Sequence, residues 1–256
     1  MDGAKQKRVL LTRENNETLA EALRANGVEV LELPLIKTVH EAQNEDVEDI
    51  MREMGSYDWI TFSSANGVKG FFREFFKNFD DIRTLGVARI ACVGEATAAE
   101  VRKLHLRPDV VPAVSTALAM ADAMAEYETL DNLKVLCVQG NLSLPDLPKT
   151  LDEKHRAIVD TAVVYKTEQV EVGADDKTAA NFRKGGADAV VFASPSAVES
   201  FVKNAKNLLL DDGAVRPKIF SVGPTTTAAL KKYAMNPYME GGDVAGLLLA
   251  YLGIKG

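Results

Sequence analysis

The chain carries one pattern twice. Residues 58–124 open with DWITFSSANGV, and residues 188–252 open with DAVVFASPSAV. Each copy is an Asp, an apolar run and a Ser-rich elbow that leads into a helical pattern. About thirty residues later, ACVGEATA and SVGPTTTAAL each end a second apolar run in Val-Gly before a Thr-rich helix start. Two such units predict two similar α/β lobes whose strand ends face one cleft.

The segments ahead of each copy also match. RVLLTRENNETLAEALRANGVEVLELPLI and KVLCVQGNLSLPDLPKTLDEKHRAIVDTAVVY each read as strand, helix, strand. Short β-branched runs alternating with helical patterns argue for parallel sheets flanked by helices. The expected strands are Arg8–Thr12, Glu29–Ile36, Trp59–Ser63, Arg89–Val93, Val110–Val111, Lys134–Gln139, Ile158–Tyr165, Ala189–Ala193, Lys218–Val222 and Pro237–Met239. Phe71, Phe72, Phe75, Phe76 and Phe79 recur at three- and four-residue spacing and predict one buried helix stripe. Two assemblies fit this order. Sequential lobes would divide near residue 130. Alternatively, the chain leaves its first lobe after Ile36, builds the second and returns near Thr167. The polar, extended stretches Lys37–Asn44 and Lys166–Asp176 favour the second.

Composition narrows the field. With 46% apolar and 26% charged residues, the chain is that of an ordinary soluble globular protein. A net charge of −7 argues against a general nucleic-acid binder, which needs a basic face. The apolar run near the N-terminus is too short for a signal-peptide core, and no run reaches the ~18 residues of a membrane span. A cytoplasmic protein with no membrane association is expected. Cys92 and Cys137 sit in apolar runs and read as buried, reduced thiols. His40, His105 and His155 are scattered among polar residues and read as surface groups. The chain has no P-loop, GxGxxG, CxxC or HExxH, so neither a nucleotide cofactor nor a metal has a recognisable cradle.

Ligands of open parallel sheets bind beyond the carboxyl ends of the strands. Four elbows are expected there: Ser63-Ser64-Ala65-Asn66-Gly67, Gly94-Glu95-Ala96-Thr97, Ser194-Pro195-Ser196 and Gly223-Pro224-Thr225-Thr226. Ser, Thr and Pro are also ordinary helix-start residues. Four helix N-termini in a duplicated arrangement nevertheless suit an anion, because their free N–H groups and positive dipole ends bind one without Lys or Arg.

At these residues the chain resembles the uroporphyrinogen-III synthase family. The resemblance runs from Val9 to about Tyr251 and rests on the first opening segment with DWITFSSANGV, ACVGEATA, VLCVQGN, AVVYKT, VVFASPSAV and SVGPTTTAAL. Each motif is loose, and their order and spacing carry the match. It implies two flavodoxin-like lobes joined by two extended crossovers, residues 1–37 with 171–256 and an inserted lobe of residues 38–170. It also implies a cofactor-free lyase reaction of tetrapyrrole biosynthesis. Linear hydroxymethylbilane would lose water and close to uroporphyrinogen III with ring D inverted, through a spiro intermediate.

By position, Tyr165 matches the family tyrosine proposed as a general acid for hydroxyl departure, and a phenol O–H is a hydrogen-bond and proton donor. Thr97, Ser194, Ser196, Thr225 and Thr226 match cleft-lining positions. Thr12 and Arg13 close the first strand, while Ser63, Ser64, Asn66, Gly94, Gly140, Asn141 and Gly223 occupy equivalent strand ends. All are implied substrate contacts. The implied partners are the bilane and, transiently, the preceding or following pathway enzyme, with the protein a monomer. Two departures stand out. Gln139-Gly140 replaces a common Arg-Gly, and the glycine usual after two helices is absent around His105-Leu106 and Ala234-Met235. Twin lobes also fit a non-catalytic anion-binding protein. A nucleotide-sugar transferase fits less well, because the chain is short and has no diphosphate loop.

Overall fold

The computed structural model describes residues 6–40 and 45–254. The expected loop at 37–44 therefore lies partly outside the described residues. The strands are β1 (Arg8–Leu11), β2 (Glu29–Glu32), β3 (Ile36–Val39), β4 (Trp59–Phe62), β5 (Arg89–Cys92), β6 (Lys134–Gly140), β7 (Ile158–Gln169), β8 (Ala189–Phe192), β9 (Lys218–Ser221) and β10 (Met239–Glu240). They form two five-stranded sheets, ordered β10-β9-β8-β1-β2 and β3-β7-β6-β4-β5. Every neighbouring pair in the first sheet is parallel, as are β7-β6, β6-β4 and β4-β5 in the second. Helices flank both sheets. The chain divides into two compact units, residues 1–37 with 168–256 and residues 38–167.

The central strands are buried on both faces, which is why they read as continuous apolar runs. In the second sheet Ile60, Phe62, Leu136 and Val138 enter one core, with Phe71, Phe72 and Phe75 beneath them. Trp59, Ala91, Val135 and Cys137 enter the core on the opposite face. Phe76, 46% exposed, departs from the expected stripe, whereas Phe79 packs partly buried against the same core. Cys92 belongs to the first of these cores and Cys137 to the second, so the sheet lies between them and both are free thiols. Burial pushes each up to about 12.

The repeated Asp has the same task in both units. The Asp58 amide donates to Lys134 O, its carbonyl accepts from Arg89 N, and its carboxylate accepts from Lys134 N. The Asp188 amide donates to Arg8 O, its carbonyl accepts from Lys218 N, and its carboxylate accepts from Arg8 N. Each Asp thus joins the starts of three adjacent parallel strands, a register lock that apolar side chains cannot supply.

Several boundaries differ from expectation. The run Glu29–Ile36 is divided between the sheets: β2 ends at Glu32, Leu33 N and Leu35 N still donate to Leu11 O and Thr12 O, and Ile36 starts a strand of the other sheet. β7 runs four residues beyond Tyr165 into the stretch read as loop. Val110 makes one isolated bridge to Ala91 in place of a strand. Of the three histidines only His105 is exposed; His40 is half-buried, and the His155 side chain is 14% exposed.

Candidate functional site

The parallel pairs gather their carboxyl ends along one edge of each sheet. In the unit of residues 38–167, β4 ends at Ser63 and Ser64. Ser63 Oγ donates to Val138 O at 3.4 Å, which ties this elbow to β6. Ser64 has extended backbone and caps helix Ala65–Asn78, its Oγ accepting from Gly67 N at 3.0 Å. Asn66 turns away and donates from Nδ2 to Thr38 Oγ1 at 3.2 Å.

β6 ends at Gly140, where the register with β7 slips and Gly140 stands opposite Tyr165. Here the β7 tyrosine meets the β4 elbow, with Ser64 Oγ and Tyr165 OH 2.9 Å apart. Asn141 fixes the same stretch of β7. Its N–H donates to Tyr165 O at 3.1 Å, and its Oδ1 accepts from Thr167 N at 2.8 Å. Ser143 Oγ accepts from Gly140 N at 3.2 Å. Leu142 and Leu144 stand out of this loop, 54% and 68% exposed. At the β5 end, Gly94 precedes helix Glu95–Arg102 with no side-chain cap. A Cβ at Gly94 would lie 2.5 Å from Ser115 Oγ, so a larger residue there would have to displace that side chain. Thr97 is 4% exposed.

The other unit repeats these elements with different partners. Ser194 caps helix Pro195–Lys203 through Ala197 N at 3.2 Å, and its Oγ lies 3.0 Å from Ser196 Oγ. Gly223 precedes helix Pro224–Lys232, again with no side-chain cap. Thr225 is exposed, whereas Thr226 is 2% exposed. Thr97 and Thr226 are equivalent residues of their copies, and neither hydroxyl has a protein partner among the described residues. Thr12 is different. Its Oγ1 donates to Val191 O at 2.7 Å and it is 1% exposed, so it serves as a strand-to-strand tie. Arg13 is exposed, with Nε donating to Asn15 O at 2.9 Å.

The predicted residues therefore separate into groups. Ser64, Gly140, Asn141 and Tyr165 converge at one place. Ser63, Asn66 and Gly94 stand at the remaining strand ends of that unit. Arg13, Ser194, Ser196, Gly223, Thr225 and Thr226 stand at the strand ends of the other. Sequence reasoning missed Thr38, Ser115, Ser143 and Thr167, whose roles come from partners far along the chain. Among the described residues no group of three or more His, Cys, Asp or Glu is placed to hold a metal ion. Nor is any described helix long and apolar enough to cross a membrane.

Comparison with known proteins is consistent along the chain. The family model for uroporphyrinogen-III synthase HemD matches residues 17–242. The porphyrin biosynthesis protein HemD of Ruminiclostridium josui is 28% identical over 228 residues, which are 88% of this chain and 44% of that protein. The chain thus spans less than half of that relative's length. Among solved structures, a mutant uroporphyrinogen III synthase of Thermus thermophilus superposes with a TM-score of 0.67 at 17% identity, over 96% of this chain and 98% of the other. The uroporphyrinogen-III synthetase of Helicobacter pylori 26695 gives 0.61 at 14% identity, over 96% and 99%. At such identities the structures speak for the fold, and the family model, spanning most of the chain, for its ancestry: this chain belongs to the uroporphyrinogen-III synthase family.

Proposed function

We propose that this chain converts linear hydroxymethylbilane to uroporphyrinogen III, with Tyr165 as general acid. The observation that supports it best is the seating of Tyr165. In a chain spanned by the family model, this phenol stands at a strand-end edge, backed by Gly140 and 2.9 Å from Ser64 Oγ. Tyr165 is half-buried, and the one protein group paired with its hydroxyl among the described residues is Ser64 Oγ.

In this reading Tyr165 gives a proton to the terminal hydroxyl of the bilane, which leaves as water. The ring A carbon it leaves becomes electrophilic. Ring D attacks that carbon through its substituted α position, forming the spiro intermediate, and the bond from ring D to its methylene bridge then breaks. Closure through the free α position of ring D expels one proton, which balances the proton donated. The net loss is one water.

The carboxylates of the bilane are assigned to the helix starts. The starts at Gly94 and Gly223 have no side-chain cap, and their first-turn N–H groups suit carboxylate oxygens. Ser64 and Ser194 already cap their own helices. Ring inversion depends on how the bound bilane is folded, so positioning contributes more than proton transfer to the choice of isomer.

The test is incubation with enzymatically generated hydroxymethylbilane, followed by chromatography of the oxidised porphyrins. Isomer III in excess of the protein-free control is expected. Isomer I alone, from folded protein, refutes the activity. Tight binding of the bilane without turnover would instead identify a non-catalytic binding protein.

A further inference from the structure

Ser64 was grouped above with the substrate contacts, but its hydroxyl has other commitments. Its oxygen accepts the Gly67 N–H at 3.0 Å, as a helix cap does. Its one hydrogen then needs an acceptor. Among the hydrogen bonds of the described residues, the only oxygen paired with Ser64 Oγ is that of Tyr165, at 2.9 Å. Tyr165 OH in turn has no second protein partner among them. If Ser64 donates, both serine requirements are met and the Tyr165 hydrogen points away from the protein.

The duplicated unit supplies an independent contrast. The equivalent cap, Ser194, pairs with Ser196 two residues on, at 3.0 Å. At the position equivalent to Ser196 stands Asn66, whose amide is turned to Thr38. The local partner of the cap serine is therefore missing in this copy, and Tyr165, 101 residues away along the chain, takes its place.

We propose that Ser64 is a positioning residue for Tyr165: it donates its hydroxyl hydrogen to the phenol oxygen, aims the phenol hydrogen at the substrate and meets the negative charge left when that proton departs. Nothing in the balance of the reaction changes, since Ser64 keeps its own proton throughout. The inference rests on the general-acid reading of Tyr165.

A double-mutant cycle on the full chain tests both and separates them. Ser64→Gly removes the hydroxyl while glycine remains an acceptable helix cap. Ser64→Ala is the second variant, and thermal melts check the folding of each. In the wild-type background either change should lower kcat about tenfold, the scale of one hydrogen bond to a developing charge, with KM within about twofold. Ser64→Thr, which restores a hydroxyl, should recover most of the rate. In the Tyr165→Phe background Ser64→Gly should change kcat less than about twofold, because no phenol remains to position. An equal loss in both backgrounds, or a loss confined to KM, would overturn the role of Ser64 and leave that of Tyr165 standing. Tyr165→Phe at the wild-type rate would overturn both.

Discussion

The ring of Tyr165 lies against the backbone of Gly140, so closely that a Cβ at position 140 would stand 2.4 Å from Cζ and 2.8 Å from the hydroxyl oxygen. The contact comes from the register slip that sets these residues opposite each other. No rotamer shift at position 140 relieves it, because Cβ is fixed to the backbone. Gly140→Ala should therefore displace the phenol and break its contact with Ser64. We expect kcat to fall at least as far as in Tyr165→Phe, with a stability loss of about 1–3 kcal/mol from overpacking. Steady-state kinetics beside a urea melt check this. Wild-type kcat in a folded variant would show that Tyr165 is free to move aside.

Tyr165→Phe itself keeps the ring that covers Gly140 and loses only the hydroxyl. Its fold should survive, and turnover should fall by roughly 10²–10³, within the range of one lost general acid. Isomer III should remain the main product, because the choice of isomer resides in how the bilane is held. Porphyrin chromatography at matched conversion measures both. A variant that makes mainly isomer I would move Tyr165 from proton transfer to substrate folding.

Thr97 and Thr226 occupy matching places beside the two uncapped helix starts, 4% and 2% exposed. Removing both hydroxyls as Thr97→Val with Thr226→Val changes the volume little and leaves the helix N–H groups in place. Anchors that act equally in the ground and transition states affect KM, not kcat. The double variant should raise KM about tenfold or more and change kcat by less than about threefold. A fall in kcat at unchanged KM would place the threonines in the chemical step.

Much of this arrangement is legible in the sequence, for a physical reason. Strands such as Val9–Leu11 and Ala189–Phe192 are buried on both faces, so apolar runs mark them without structural help. The elbows follow, since Ser, Gly and Pro at strand ends have few other uses. What each hydroxyl does is another matter. Thr12 follows β1 and Thr97 lies in the first turn of the helix after β5, yet the hydroxyl of Thr12 bonds Val191 O and that of Thr97 has no protein partner among the described residues. That difference depends on which strands become neighbours. Ser64 and Tyr165 meet only because β4 and β7 flank β6 and the β6–β7 register slips at Gly140. Local sequence carries no sign of that slip.

Cys92 and Cys137, 0% and 1% exposed, are raised to about 12 by desolvation. In the unfolded chain a thiol ionises near ~8.5. Between these values the native state holds more protons than the unfolded state, so the free energy of unfolding falls with rising pH. The slope approaches about 1.4 kcal/mol per pH unit for each thiol. The contribution is complete below the unfolded pKa and is lost progressively toward the folded one. Tyr57, raised first by burial and then by its bond to Asp160, adds the same sign above the ordinary tyrosine range. Urea midpoints should fall from about pH 8 to about pH 10.5, less steeply in a variant with both cysteines changed to alanine. Parallel curves would assign the alkaline sensitivity to other groups.

The missing glycines after two helices have a measurable consequence. Ala234 has φ of 55° and His105 a φ of 60°, both in the left-handed region. At Ala234 the backbone completes a glycine-type helix stop, with Ala234 N donating to Lys231 O at 3.1 Å and Met235 N to Leu230 O at 3.0 Å. A left-handed alanine costs about 1–2 kcal/mol, part of which glycine returns as extra entropy in the unfolded chain. Ala234 is exposed, so its methyl group has no packing to lose. Ala234→Gly should therefore stabilise the protein by about 0.5–1 kcal/mol, seen as a higher urea midpoint at unchanged slope. His105→Gly should gain less, because histidine enters this region more readily than alanine does. Activity should not change in either variant, since neither position is at a strand end. A lower midpoint for Ala234→Gly would mean that the chain reaches this stop with a φ that suits alanine.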